Sequence, residues 1–103
     1  MSVEVGLRQT SFMKKVYDWD DAKNRKLMKE RGISFEAVVS LIEGENVIAI
    51  VTGKGKYAHQ RQFIVEMNRY VYVVPFVEDD EKIFLKTIIP SRKLTKKFLP
   101  GGE

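Results

Sequence analysis

The chain has 103 residues, of which 44% are hydrophobic, and this length and composition are typical of one folded domain. Eighteen Lys and Arg against fourteen Asp and Glu give a net charge of +4, which permits an anionic partner without requiring one. The sequence contains no cysteine and a single histidine, which excludes disulfides, a thiolate nucleophile and the common zinc sites. It lacks an apolar run of the roughly 18–20 residues that cross a bilayer, and its first ten residues lack the apolar stretch of a signal peptide. We therefore expect a cytoplasmic protein with no metal and no cofactor.

One domain is expected over residues 12–99. Residues 1–11 show no periodicity and are interpreted as a flexible leader, and residues 100–103 as a flexible tail that begins with Pro-Gly-Gly. The sequence shows no internal repeat and no linker.

The first predicted helix runs from Asp21 to Glu30. Asp20 and Asp21 provide the carboxylates that accept the free N–H groups of a first helical turn. Gly32 supplies the residue type that tolerates the left-handed conformation at a helix end. A short apolar stretch at residues 12–19 precedes this helix and is compatible with a strand.

A second helix is predicted between Ser34, which is a suitable N-cap, and Gly44. Its apolar residues are spaced so that they share one helical face. These residues are Phe35, Val38, Val39 and Ile42.

Beyond the second helix the pattern is that of β-strands, rich in Val, Ile and Tyr. A two-residue turn is expected at Asn68 and Arg69, and Pro90 ends the last strand. Ser91 is the N-cap of a short basic helix over residues 92–98. The four predicted strands cover residues 47–51, 62–67, 70–77 and 82–89. Short turns join these strands, so we expect an α+β fold in which a small antiparallel sheet of about four strands carries two N-terminal helices and a short C-terminal helix.

Basic residues fall into three groups, in the first helix, in the loop at residues 54–61 and in the C-terminal helix. Together they would neutralise several phosphates of a nucleic acid, and aromatic rings among them could stack on unpaired bases. The alternative is that the basic residues only solvate exposed helix faces and that Tyr70 and Tyr72 belong to the sheet core. The nucleic-acid candidates are Lys23, Lys26, Arg31, Lys54, Lys56, Tyr57 and Lys93, with Phe63, Tyr70 and Tyr72 as further aromatics.

Two residues are candidates for a general base. His59 lies in a basic loop that would keep its imidazole neutral at pH 7, although a histidine in such a loop is often an exposed residue without a role. Glu66 lies inside a strand, where it would line a site or pair with a lysine. The four acids at residues 78–81 are more typical of a solvated hairpin tip than of a metal site. The sequence has no phosphate-binding loop, dinucleotide fingerprint or nucleophile elbow.

Three motifs resemble the BrnT-like toxin family of bacterial toxin–antitoxin systems. The segment Tyr17-Asp18-Trp19-Asp20-Asp21-Ala22-Lys23 is similar to the start of the family's first helix. The segments Arg31-Gly32-Ile33-Ser34-Phe35-Glu36 and Ile88-Ile89-Pro90-Ser91-Arg92-Lys93 are similar to its helix junction and to the start of its last helix. The resemblance covers residues 17–98, with the motifs in the family's order.

This resemblance implies a RelE-like fold and a metal-independent endoribonuclease that an antitoxin holds inactive, often an antitoxin with a ribbon-helix-helix part. Cleavage by the 2′-hydroxyl of RNA needs a base, an acid and cations around the phosphate. His59 or Glu66 would be the base, and Arg61 and Arg92 would stabilise the phosphate because a guanidinium matches two phosphate oxygens. Lys23 and Lys26 would hold flanking phosphates.

The sequence departs from the family pattern at three positions. Arg31 stands where a histidine often precedes the glycine, Leu27 where asparagine is common, and Pro90 before the last helix. The loss of that histidine motivates an alternative function, a non-catalytic module with the same fold that binds nucleic acid or protein. A third possibility is an adaptor that binds another chain through a Tyr- and Val-rich sheet face.

Overall fold

The computed structural model describes residues 15–53 and 60–99. Within these ranges the chain forms three helices and a six-stranded mixed sheet. The helices are α1 (Asp21–Arg31), α2 (Phe35–Glu43) and α3 (Arg92–Phe98). The strands are β1 (Val16–Asp18), β2 (Ala49–Thr52), β3 (Arg61–Met67), β4 (Tyr70–Glu78), β5 (Lys82–Leu85) and β6 (Ile89–Pro90). None of these helices is long and apolar enough to cross a membrane.

All three helices begin at the predicted caps. The side chains of Asp20, Ser34 and Ser91 each accept a hydrogen bond from the backbone N–H three residues later, at 2.9, 3.1 and 3.1 Å. Gly32 ends α1 with a left-handed φ of 69°, as predicted. These boundaries were predictable because capping depends on residues adjacent in the sequence.

The sheet has the order β1-β5-β4-β3-β2, and β6 pairs with β4 on the same side as β5. The strands from β2 to β5 form the expected antiparallel meander. The predicted number of about four strands is wrong for two reasons. First, β1 adds a parallel edge strand, with Val16 opposite Lys82. Second, the predicted strand at residues 82–89 divides into β5 and β6, because the chain between them turns the Ile88 side chain into the core.

The core lies between one face of the sheet and the helices α1 and α2. Phe35, Val38 and Ile42 are buried on α2, as the helical spacing predicts, and Val39 packs against them. Phe63 and Tyr72 are also buried core residues, and Tyr70 packs on the same cluster. For Tyr72 the alternative, that it belongs to the sheet core, is therefore correct, and Tyr70 packs against that core while partly exposed. The buried rings of Phe63 and Tyr72 cannot stack on bases.

A buried amide joins the two N-terminal helices. Asn24, on α1, is only 3% exposed. Its Oδ1 accepts a hydrogen bond from the Phe35 N–H at 2.7 Å, and its Nδ2 donates to Glu36 Oε1 at 2.8 Å. The Asn24 side chain thus forms hydrogen bonds with two polar groups in the first turn of α2. No sequence motif points to this residue.

The turn between β3 and β4 consists of Asn68 and Arg69, as predicted. Both residues have left-handed backbone angles, with φ of 55° and 64°. Two consecutive left-handed residues define a type I′ turn, which matches the twist of an antiparallel hairpin. The turn fixes the register of the hairpin, so that Met67 lies opposite Tyr70 and Arg61 lies opposite Phe76.

The stability of the fold should fall at alkaline pH because of Tyr17. Burial and, secondarily, the carboxylates of Glu43 and Glu78 raise the pKa of Tyr17 to about 12. In the unfolded chain this phenol titrates near pH 10, so between about pH 10 and 12 the unfolded state loses a proton that the folded state keeps. Because the ring is only half-buried, we expect a loss of about 1 kcal/mol over that interval, less than full linkage would give.

Urea denaturation of the protein and of Tyr17→Phe, each at about pH 9 and pH 11, measures this effect. The lysines titrate in both proteins, so they cancel in the comparison. The unmodified protein should lose more stability than Tyr17→Phe. Equal losses in the two proteins would show that Tyr17 is not responsible.

Candidate functional site

The candidate site residues on β3 lie at opposite ends of the β3–β4 hairpin. Arg61 pairs with Phe76 at the end that we call the open end. Glu66 pairs with Val71 next to the turn, at the end that we call the turn end. Arg61 and Glu66 are five positions apart along the strand, a backbone distance of about 16 Å. The structure therefore does not place these two residues around one phosphate.

At the open end, Arg61 already has partners. Its Nη1 lies 3.1 Å from Glu78 Oε1, and its guanidinium lies 5.5 Å from the centre of the Phe76 ring. The ammonium group of Lys15 forms an ion pair with the same Glu78 carboxylate. Because the Arg61 side chain is half-exposed, the ion pair contributes little stability, and phosphate could compete for it.

Lys23 lies on α1 and its Nζ donates to the backbone oxygen of Lys86 at 3.1 Å. The Lys86 N–H in turn donates to the carbonyl of Pro75 at 2.8 Å. Pro75 precedes Phe76, which lies opposite Arg61, so the contact of Lys23 lies nearer the open end. Lys26 is exposed on the same helix, and no contact places it at either end. His59, Lys54, Lys56 and Tyr57 lie outside the described residues.

At the turn end, the first residues of α3 approach Glu66 across β4. The carbonyl of Val71, opposite Glu66, accepts from the Ser91 N–H at 2.9 Å, and the Val71 N–H donates to Thr95 Oγ1 at 2.9 Å. Two strand spacings, or about 10 Å, therefore separate the Glu66 backbone from that of Ser91, which Arg92 follows. Both Glu66 and Arg92 are exposed, and neither forms an ion pair within the described part of the chain.

Three more cations lie at the turn end. Lys93 follows Arg92 on α3, and Arg31 ends α1 next to Gly32, which lines a groove together with Glu66. The third is Arg69, in the hairpin turn. The sequence predicts Arg69 only as a turn residue, although a basic residue three positions after Glu66 at a predicted hairpin turn is a usable signal for the site. The turn end thus combines one carboxylate with several exposed cations.

The acidic hairpin tip behaves as a turn. Asp79 Oδ1 accepts from the backbone N–H groups of Glu81 and Lys82, both at 2.8 Å, and these bonds lower the pKa of Asp79. Over residues 15–53 and 60–99, no group of three His, Asp or Glu side chains is arranged to hold a metal ion.

The family model described as the ribonuclease toxin, BrnT, of type II toxin–antitoxin systems matches residues 19–97. The chain belongs to this family. Its identification from the three motifs is thereby confirmed, and the family implies an RNA substrate and an antitoxin partner. No curated protein and no solved structure matches the chain.

The structure shows what the three BrnT motifs do in the fold. The first contains Asp20, which caps α1, and the third contains Ser91, which caps α3. In the second, Gly32 ends α1, Ser34 caps α2, and the Phe35 N–H donates a hydrogen bond to Asn24 Oδ1. These residues cap or end helices and join α1 to α2. The motifs therefore identify the family mainly through residues that determine its fold.

Proposed function

We propose that this BrnT family member is a metal-independent endoribonuclease toxin that an antitoxin holds inactive in the cytoplasm. The match to a ribonuclease toxin family over residues 19–97 carries this proposal. A RelE-like arrangement of the sheet and helices belongs to the same proposal, as the family resemblance implies.

The proposed reaction needs no group beyond the protein and the RNA. A base removes the proton of a ribose 2′-hydroxyl, whose oxygen bonds to the adjacent phosphorus, and the bond from phosphorus to the 5′-oxygen breaks. An acid protonates that leaving oxygen, and the products are a 2′,3′-cyclic phosphate and a 5′-hydroxyl. Cations stabilise the extra negative charge on the phosphate in the transition state.

The turn end supports this chemistry better than the open end. The backbones of Glu66 and of Ser91, which precedes Arg92, are about 10 Å apart across β4. A phosphodiester lying over β4 could therefore contact a carboxylate on one side and a guanidinium on the other. Neither of these side chains has an ion-pair partner among the described residues, whereas Arg61 is engaged by Glu78. We therefore assign Glu66 as the base and Arg92 as the main phosphate ligand, and His59 remains the alternative base.

The remaining candidates would hold phosphates on either side of the cleaved bond. Arg61, at the open end, would bind a phosphate a few nucleotides away, in competition with Glu78. The residues in this flanking group are Lys23, Lys26, Arg31, Lys54, Lys56, Tyr57, Arg61 and Lys93.

Cleavage of end-labelled RNA by the purified protein in excess EDTA tests the proposal. We expect cleavage that leaves cyclic-phosphate ends and stops when the antitoxin is added. Cleavage that appears only after Mg²⁺ is supplied would contradict metal independence.

Failure of the folded protein to cleave RNA, with or without ribosomes, would favour the second candidate, a non-catalytic binding module with the same fold. Arg31 at a common histidine position is the observation that favours that alternative.

A further inference from the structure

A groove of about 330 Å³ runs between α2 and the last residues of β3. On one side it is lined by Ala37, Ser40 and Leu41 of α2, and on the other by the segment from Glu66 to Asn68. Its floor near the helix junction includes Ile33. The groove is therefore bounded by a helix and by the edge of a strand, and its walls are partly apolar.

The backbone N–H and C=O of Glu66 point away from β4, toward the edge of β3 that borders the groove. Met67 and Tyr70 flank a two-residue turn, so they form a hydrogen-bonded pair, and hydrogen bonding to β4 alternates from there along β3. The N–H and C=O of Glu66 consequently point away from β4, toward the side occupied by β2. The bond from the Gly53 N–H to the Gln60 carbonyl, at 2.7 Å, gives the same alternation on the β2 side.

β2 does not reach Glu66, because the register between the two strands ends at Ala49 opposite Ile64. No backbone hydrogen bond joins the Glu66 N–H or C=O to another described residue. One donor and one acceptor of a strand edge are thus open beside the groove, and such an edge is a template for an added strand.

Two cations stand next to the groove. Arg31 directly precedes Gly32 and Arg69 directly follows Asn68, and both of these neighbours line the groove. Both arginines are exposed, and neither has an ion-pair partner in the part of the chain that the structure describes. The groove therefore combines an open strand edge with positive charge.

We propose that this groove binds an extended, acidic segment of a partner protein, which adds a short strand at Glu66 and places carboxylates against Arg31 and Arg69. The inference rests on the proposed function, under which the partner is the antitoxin. A peptide supplies the N–H and C=O that complement those of Glu66, and its apolar side chains fit between Ala37 and Leu41. RNA has no repeating backbone N–H and C=O groups and no aliphatic side chains, so it matches this strand edge and its partly apolar walls less well. Because Glu66 and Arg92 share the turn end, a bound segment would exclude RNA from the proposed site.

The probe is a synthetic seven-residue peptide with three central valines and two glutamates on each side. Hydrogen exchange of the isotope-labelled full chain is followed by NMR with this peptide, with the same peptide carrying lysine for glutamate, and with a single-stranded RNA. We expect the acidic peptide to slow exchange of the Glu66 amide by about tenfold or more at saturation. The double variant Arg31→Ser with Arg69→Ser should weaken binding about tenfold at low salt, and the control Arg25→Ser, on α1, should change it less than about twofold.

Three results would overturn the inference: no binding of the acidic peptide, equal binding of the lysine peptide, or slowed exchange of the Glu66 amide with RNA but not with the acidic peptide. Protection confined to the outer edge of β2 would likewise assign the docking site elsewhere. The RNA cleavage assay on the same preparation separates the two proposals. A preparation that cleaves RNA but fails to bind the peptide contradicts only the groove, whereas one that binds the peptide without cleaving RNA contradicts only the ribonuclease.

Discussion

Replacing Arg92 with alanine should reduce the rate of RNA cleavage by about 10²–10³, equivalent to about 3–4 kcal/mol of transition-state stabilisation. Arg92 is exposed at the start of α3, and no carboxylate among the described residues neutralises it. Its planar guanidinium can donate to two phosphate oxygens at once. Single-turnover cleavage of end-labelled RNA in EDTA measures the effect. Glu66→Gln, which keeps the size of the side chain and removes the base, should give a loss of similar size.

The matched control for Arg92→Ala is Arg25→Ala, because Arg25 is an exposed arginine that pairs with Asp21 one turn away on α1. Its cleavage rate should stay within about twofold of the unmodified protein. Arg61→Ala should lower the rate by about tenfold or less, as expected for a ligand of a flanking phosphate. A larger loss for Arg61→Ala than for Arg92→Ala would move the site to the open end. Full activity of Glu66→Gln beside an inactive His59→Ala would assign the base to His59.

Replacing Asn24 with leucine should lower the free energy of unfolding by about 2–3 kcal/mol. Leucine is close to asparagine in size, so the change removes hydrogen bonds without leaving a large cavity. It leaves the Phe35 N–H without its acceptor and the Glu36 carboxylate without its donor, beside a buried core. Urea denaturation should show a lower midpoint at an unchanged slope, and the melting temperature should fall by about 10–20 °C.

Ser34→Ala gives a scale for this loss, because Ser34 caps the same first turn of α2 that Asn24 contacts. Its hydroxyl accepts the Ala37 N–H at 3.1 Å, and removal of an N-cap costs about 1 kcal/mol. Asn24→Leu should therefore cost about twice as much as Ser34→Ala. Equal costs would mean that the amide is not a principal link between α1 and α2.

The parts of the fold that were predictable from sequence depend on neighbouring residues. Asp20, Ser34 and Ser91 cap helices through contacts three residues away, and the type I′ turn at Asn68 is a two-residue pattern. The parallel pairing of Val16 with Lys82 has no local signal, because the two residues are brought together only by the complete sheet. The burial of Asn24 is similarly invisible, since asparagine is usually exposed.

In the candidate site, too, the residue types were predictable from sequence but their placement in space was not. Sequence patterns selected exposed cations and Glu66, but the separation of Arg61 from Glu66 follows from the register of β3 on β4. The proximity of Arg92 to Glu66 depends on β6, which directs the chain along the edge of β4. Composition alone therefore could not divide the candidates between the two ends of the hairpin.

The parallel pairing of β1 with β5 also affects the order of folding during synthesis. β1 precedes the other described elements along the chain, but its only described partner in the sheet is β5, which is made after α1, α2 and three further strands. α3, which carries Arg92, follows later still. Contacts of such long range delay folding, because the intervening chain must be ordered before they form. A nascent chain thus lacks both β5 and α3 until synthesis has passed β4, and during that interval β1 has no partner strand in the described sheet. Its backbone N–H and C=O groups can then pair with another protein that binds during translation.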